Sequence, residues 1–233
     1  MARRKRKQAR QNQMRHLITQ LNPRSPISEH YRTVRTNIEF SSVDEEIHTL
    51  MVTSSGPSEG KSMTTANLAV VYAQQGKKVL LIDADLRKPT VHYTFRVDNL
   101  RGLSTVLVNE MSLEEVVNVS SVDNLDIVTS GPIPPNPSEL LGSKRMQQLI
   151  QEAKTLYDIV LFDTPPVLVV TDAQILANFV DGSILVVRSK QTEYEAAIKA
   201  KESLETAQSK LLGAILNDRE KTDLNYYYYY GQD

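Results

Sequence analysis

Six short apolar runs, all but the last followed by a segment of helical period, dominate the chain from residue 47 onward. The runs cover 47–53, 78–83, 125–129, 159–163, 183–187 and 211–216. Near-continuous apolar composition suits strands buried on both faces of a parallel sheet. The intervening spacing predicts helices over 61–75, 103–108, 113–118, 138–157, 172–179 and 193–209. Gly76 is placed to close the first of these, and Asn136-Pro137-Ser138-Glu139 to open the long one as a capping box. Strands alternating with helices give a doubly wound, mostly parallel α/β fold, with ligands at the carboxyl ends of the strands. A length of 233 residues suits one such domain with short appendages.

The first apolar run leads into Ser54-Ser55-Gly56-Pro57-Ser58-Glu59-Gly60-Lys61-Ser62, and then into Met63-Thr64-Thr65-Ala66. A small-residue loop between a strand and a helix lets successive backbone N–H groups converge on an anion, and the helix N-terminus adds partial positive charge. The pattern is G-x-x-x-x-G-K-[ST] at every position but the first, where Ser55 stands for Gly. In that pattern Lys61 reaches the β- and γ-phosphates and the Ser62 hydroxyl ligates Mg²⁺. Residues Gly56 to Met63 are therefore the candidate nucleotide site. The bland alternative is a helix cap with an incidental lysine.

Two further strands end in acids. Val79 to Ile82 delivers Asp83 and Asp85, followed by Arg87. Two neighbouring carboxylates repel unless a cation or proton lies between them. Mg²⁺ is the natural cation here, or one carboxylate serves as general base for an incoming hydroxyl. Ile159 to Phe162 delivers Asp163, which in phosphate-loop enzymes completes the Mg²⁺ shell. Asp172 is either on the same rim or a helix cap. Asn217 ends the last run; its amide could pair with a purine edge, or simply begin a turn.

The flanks differ in character. Residues 1–28 carry eight Arg and Lys and no acid, so the remainder carries −9 of a net −1. A basic arm over 1–27 is an interaction segment for anionic lipid, nucleic acid or an acidic protein, or a solvated tail. A helix from Glu29 to Phe40, with Ser28 as cap, follows. On it Glu29, Arg32 and Arg35 recur every third residue, as a surface ion pair or as a subunit contact. Residues 28–217 form the folded domain, with 28–40 its leading helix. The segment 218–233 is polar and contains Tyr226, Tyr227, Tyr228, Tyr229 and Tyr230, which share no helical or strand period and read as an exposed tail. From Asn217 to Tyr230 the chain reaches at most roughly 45 Å. Absence of cysteine excludes disulfides and thiolate metal sites. No apolar run approaches the ~20 residues that cross a bilayer, and no signal peptide opens the chain, so a cytoplasmic location is expected.

Together these motifs resemble the bacterial tyrosine kinases, a family unrelated in fold to eukaryotic protein kinases and similar to septum-site and plasmid-partition ATPases. Gly60-Lys61-Ser62 matches the family's Walker A, and Val79 to Arg87 its D-x-D-x-R motif. Leu161 to Pro166 matches its Walker B, and Glu29-x-x-Arg32-x-x-Arg35 its oligomerisation helix. The Asn136-Pro137 loop and the tyrosine cluster match as well. The resemblance implies ATP- and Mg²⁺-dependent phosphorylation of protein tyrosine, with Lys61, Asp83, Asp85 and Asp163 in the catalytic centre. It implies that Tyr226 to Tyr230 are modified between subunits of a homo-oligomeric ring. It further implies a separate transmembrane activator at the inner face of the membrane and a role in capsular or extracellular polysaccharide synthesis and export. Residues 1–15 offer a contact to an anionic membrane surface. No specific nucleic-acid binding is expected, because no groove-reading motif accompanies the arm. The rival readings are a partition-type ATPase switch without kinase activity and an inactive, membrane-docked scaffold. A eukaryotic-type kinase is excluded by the absence of G-x-G-x-x-G, H-R-D and D-F-G.

Overall fold

The computed structural model describes residues 17–41, 46–207 and 210–220; the basic run 1–15 and the cluster Tyr226 to Tyr230 lie outside the described residues. In chain order the elements are α1 (Ile18–Leu21), α2 (Pro26–Phe40), β1 (Thr49–Ser54), α3 (Lys61–Gln74), β2 (Val79–Asp83), α4 (Val91–Phe95), α5 (Leu103–Leu107), α6 (Leu113–Val116), β3 (Val117–Val119), β4 (Leu125–Val128), α7 (Pro137–Leu141), α8 (Lys144–Leu156), β5 (Ile159–Asp163), α9 (Asp172–Ala177), β6 (Gly182–Arg188), α10 (Tyr194–Glu205) and β7 (Lys210–Asn217).

The seven strands lie in the order β3-β4-β2-β5-β1-β6-β7. All neighbours are parallel except β3, which runs antiparallel to β4. Alternation along each strand divides the core between the two faces. Leu80 and Ile82 of β2 and Val160 and Phe162 of β5 pack with Leu103, Leu149 and Leu176 on one face. Val79 and Leu81, with Ile159 and Leu161, pack with Leu17, Ile38 and Leu68 on the other. Burial on both faces explains the apolar runs of β1, β2, β4, β5 and β6, but the run at β7 is an edge strand with no buried residue. Burial of α3 from Thr64 to Ala73 explains why that helix shows little amphipathic pattern. The fold is the doubly wound one expected.

Local corrections have local causes. α2 starts at Pro26, not Glu29, and its cap is Ser25, whose side chain accepts from Ser28 N; Ser28 is buried instead. The folded unit reaches back to Leu17, and Thr19 N and Oγ1 donate to Asn67 Oδ1 at 3.1 and 2.8 Å. The boundary drawn at residue 27 therefore falls inside α2. The helix expected over 138–157 is two, interrupted at Gly142; Ser143 caps the second by accepting from Met146 N. Asn136 does not cap through its side chain; its Nδ2 donates to Glu139 Oε2 at 2.7 Å. The helix expected over 113–118 ends at Val116, and Val117–Val119 become the edge strand β3. β3 and α4 are too short for a periodic signal. No helix among the described residues is long and apolar enough to cross a membrane.

Candidate active site

β1 ends at Ser54 and α3 begins at Lys61, so the phosphate-loop motif falls at the carboxyl edge of a central strand. Ser58 (φ 67°) and Gly60 (φ 98°) both take left-handed conformations. Such residues let successive amides turn toward one anion. Gly56, Pro57 and Ser58 lie toward solvent, while Met63 packs against the core behind the loop.

The acids meet the loop through topology. β5 lies between β1 and β2, so Asp163 is the register partner of both Val52 and Asp83. Asp85 stands just past the end of β2. Lys61 Nζ donates to Asp85 Oδ2 at 3.1 Å, to Asp163 Oδ1 at 3.3 Å and to Ser62 Oγ at 3.2 Å. One ammonium thus joins the phosphate loop to the ends of two other strands. Burial opposes its charge, but Asp163 and Asp85 outweigh that and hold Lys61 above its usual range.

Asp83 is fully buried. Its Oδ2 accepts from Thr90 N and Val91 N, both at 2.9 Å, and its Oδ1 from Asp85 N at 3.2 Å. Burial, reinforced by Asp163, pushes its carboxyl up to about 7. Burial likewise raises Asp163, against the pull of Lys61. The segment after Asp163 is stitched to β1: Thr164 Oγ1 donates to Val52 O at 3.0 Å and Thr53 Oγ1 to Pro165 O at 2.8 Å.

These residues fit a divalent cation. Asp163 Oδ2 is buried without a hydrogen-bond partner, and two carboxylates, Asp85 and Asp163, share a single ammonium. An acceptor oxygen in that position suits a hard cation with oxygen ligands. Ser62, Asp85 and Asp163 are the groups that would hold it, and it would supply charge neutralisation for a transferring phosphoryl group.

Asn217, at the end of β7, lies against the loop: its Nδ2 donates to Glu59 O at 2.9 Å. Asp172 is the first residue of α9 and is clasped by Arg87, so it is neither free on the rim nor a side-chain cap. Glu29, Arg32 and Arg35 stay on α2. Glu29 and Arg32 form the i,i+3 ion pair at 2.8 Å, and Arg35 Nη1 donates to Val71 O at 2.9 Å. Sequence reasoning missed two contacts to the loop, Thr192 to Glu59 and Arg188 to Ser58 O. Both partners lie far along the chain, at the end of β6 and just beyond it, and neither belongs to a motif.

Comparison with known proteins fits this geometry. The family described as an AAA domain matches residues 48–212. Tyrosine-protein kinase YwqD of Bacillus subtilis is 58% identical over 217 residues, covering 93% of this chain and 92% of YwqD. The chain belongs to the bacterial tyrosine-protein kinases. The solved kinase domain of Escherichia coli tyrosine kinase ETK matches this kinase with a TM-score of 0.83 at 39% identity, over 86% of this chain and 79% of that one. The septum site-determining protein MinD of Pyrococcus horikoshii, solved with Mg-ADP, matches with a TM-score of 0.64 at 24% identity, over 76% and 72% of the two chains. That likeness shows the shared fold. Membership of the kinase family sets aside the partition-type switch as the reading of this site.

Proposed function

We propose that this kinase transfers the γ-phosphoryl group of ATP, with Mg²⁺, to tyrosine, and that Tyr226 to Tyr230 of a neighbouring copy are among its acceptors. The observation that carries the reading is the junction made by Lys61. A phosphate-loop lysine touching Asp85 and Asp163 gathers donor-binding and charge-neutralising groups at one point. The loop residues Gly56 to Ser62 and Lys61 hold the phosphates. Ser62, Asp85 and Asp163 hold the cation, and Asn217 stands beside the loop where a purine edge would lie. Asp83 is the first choice for the acceptor's base: burial pushes its carboxyl up to about 7, near the range a general base needs. Its hydrogen bonds come from backbone amides, whereas Asp85 and Asp163 accept from the Lys61 ammonium. A phenol has an ordinary pKa of ~10 and needs such an acceptor close to the transferring group.

The polyanionic product suggests regulation. Each phosphotyrosine adds about −1.5 to −2 charges, so several on adjacent residues repel one another and loosen a ring built through Glu29, Arg32 and Arg35. By the family resemblance, the setting is the inner face of the membrane, with a separate transmembrane activator, and the output is control of capsular or extracellular polysaccharide synthesis. The basic residues 1–15 supply a contact to anionic lipid.

The experiment mixes full-length Lys61→Met, which supplies tyrosines but no transfer, with an active chain lacking 218–233, and adds ATP, Mg²⁺ and activator. Phosphate mapped to Tyr226 to Tyr230 of the Lys61→Met chain is the expected result. Unmodified tyrosines there, with normal self-modification of the wild-type chain, rule out transfer between copies. ATP hydrolysis with no phosphotyrosine in any mixture rules out the kinase reading.

A further inference from the structure

The phosphate loop departs from its pattern at Ser55 and carries an acid, Glu59, in a segment built to receive anions. The two features are one device. Glu59 is almost fully buried, with 7% of its surface exposed. Ser55 Oγ lies 2.8 Å from Glu59 Oε1 and 2.9 Å from Oε2, so its single proton is shared across both carboxylate oxygens. Thr192 Oγ1 lies 2.6 Å from Oε1. That hydroxyl already accepts from Arg188 N at 2.8 Å, which fixes its proton on Glu59. The carboxylate therefore braces the first loop position against the fifth and ties both to the segment after β6. A glycine in place of Ser55 has no hydroxyl to offer.

A buried carboxylate near bound phosphates is repulsive by Coulomb's law, and it is tolerable only when its own hydrogen bonds are made. Without them it would turn toward solvent and leave the two ends of the loop untied. We propose that Glu59 is a positioning residue for the nucleotide: its amide belongs to the phosphate cradle, while its side chain, held by Ser55 and Thr192, keeps the cradle in its binding shape. The inference rests on the reading of this loop as the Mg·ATP site. Two further contacts hold the same stretch from the same side: Arg188 Nη1 to Ser58 O at 3.2 Å and Asn217 Nδ2 to Glu59 O at 2.9 Å. These fix the backbone, so the carboxylate is left to fix the spacing between the two ends of the loop.

The test uses the full chain with Thr192→Val, Ser55→Ala, Glu59→Gln and Glu59→Ala, and measures Mg·ATP affinity by calorimetry, KM and kcat for tyrosine phosphorylation, and the unfolding temperature. Thr192→Val and Ser55→Ala are each expected to weaken Mg·ATP binding by about tenfold, as befits one hydrogen bond to a charged acceptor. KM should rise more than kcat falls. Glu59→Gln, which keeps one acceptor oxygen, should bind better than Glu59→Ala. In the Glu59→Ala background, Ser55→Ala should have no further effect, since the Ser55 hydroxyl acts through that one carboxylate. Wild-type affinity in Thr192→Val and Ser55→Ala overturns the brace while leaving the nucleotide site standing. A lower unfolding temperature with unchanged KM assigns Glu59 to stability alone and also overturns it. A wild-type chain that does not bind Mg·ATP removes the underlying reading of the loop.

Discussion

Arg87 clasps Asp172 through two near-parallel hydrogen bonds, Nε to Oδ2 at 2.8 Å and Nη2 to Oδ1 at 3.0 Å. The carboxylate is fully buried, while the guanidinium side chain is 39% exposed. The pair joins the segment that carries Asp85 to the start of α9, downstream of Asp163. It explains why Arg87 belongs with the two acids that precede it.

Removing Arg87 leaves a buried carboxylate without a partner, whereas removing Asp172 leaves only a guanidinium that water can reach. Arg87→Ala should therefore cost about 2 kcal/mol, below the range for a fully buried pair because one partner is solvated. Asp172→Asn should cost about 1 kcal/mol or less. Urea unfolding of the nucleotide-free chain measures both, and a larger loss for Asp172→Asn would contradict this ordering.

Asp163 is a poor structural residue and a good cation ligand. Its Oδ2 has no partner, and it crowds Asp83 and Asp85 around one lysine. Asp163→Asn removes a buried charge at constant shape, so the nucleotide-free chain should unfold no earlier than wild type. Phosphoryl transfer should fall by about 10²- to 10³-fold, as for loss of a group aimed at developing charge. Chelation of Mg²⁺ should abolish transfer in the wild type, and the residual transfer of the variant should need a higher Mg²⁺ concentration, since only Ser62 and Asp85 remain to hold the cation. A marked loss of stability with an unchanged Mg²⁺ requirement would point to a purely architectural aspartate.

At the opposite end of the sheet, Asp181, just before β6, ties down the start of β1. Its Oδ2 accepts from His48 N at 3.0 Å and Thr49 N at 2.9 Å, and its Oδ1 accepts from Lys154 Nζ at 3.1 Å. Burial opposes ionisation, but the contacts with Thr49 and Lys154 prevail and hold its carboxyl below the ordinary range. A depressed acid stabilises the fold above its unfolded-state pKa and loses that contribution as pH falls through the folded value. Asp181→Asn should thus cost about 1 kcal/mol at pH 7, and the gap between the two chains should close below about pH 4. Unfolding midpoints across pH 3 to 7 read this directly.

What could be read from sequence follows from range. The five buried strands β1, β2, β4, β5 and β6 and the helix α3 announce themselves because burial on two faces demands apolar runs, whereas β7 is a similar run on an edge strand with no buried residue. Gly60-Lys61-Ser62 with Asp83, Asp85 and Asp163 are marked by their positions next to strand ends. Which acid faces the lysine was not legible, because it depends on strand order: β5 lies between β1 and β2, which places Asp163 beside Asp83. The same holds for Thr192, Arg188 and Asn217, which reach the loop only because β6 and β7 follow β1 in the sheet. The start of α2 was misread for a nearer reason. Ser25-Pro26 and Ser28 both offer cap chemistry, and the hydrogen bond from the buried Ser28's Oγ to Asn22 O at 2.8 Å decides between them.

Gly60 and Asn217 test the join between the loop and the last strand. Gly60 has φ 98°, and a Cβ built there would lie 2.0 Å from Asn217 Nδ2. Gly60→Ala therefore suffers twice, from the left-handed backbone and from collision with an amide that is itself bonded to Glu59 O. The variant should lose about 2–3 kcal/mol of nucleotide-free stability. Asn217→Ala alone forfeits one hydrogen bond and should cost about 1 kcal/mol. The two losses should not add. With Asn217 shortened, the new methyl has room, and the double variant should be more stable than Gly60→Ala alone, yet less stable than Asn217→Ala because the backbone penalty persists. Measuring without nucleotide keeps any role of Asn217 at a purine edge out of the comparison. Simple additivity would mean that the collision is relieved by movement of the loop, and that the amide does not hold Glu59 in place.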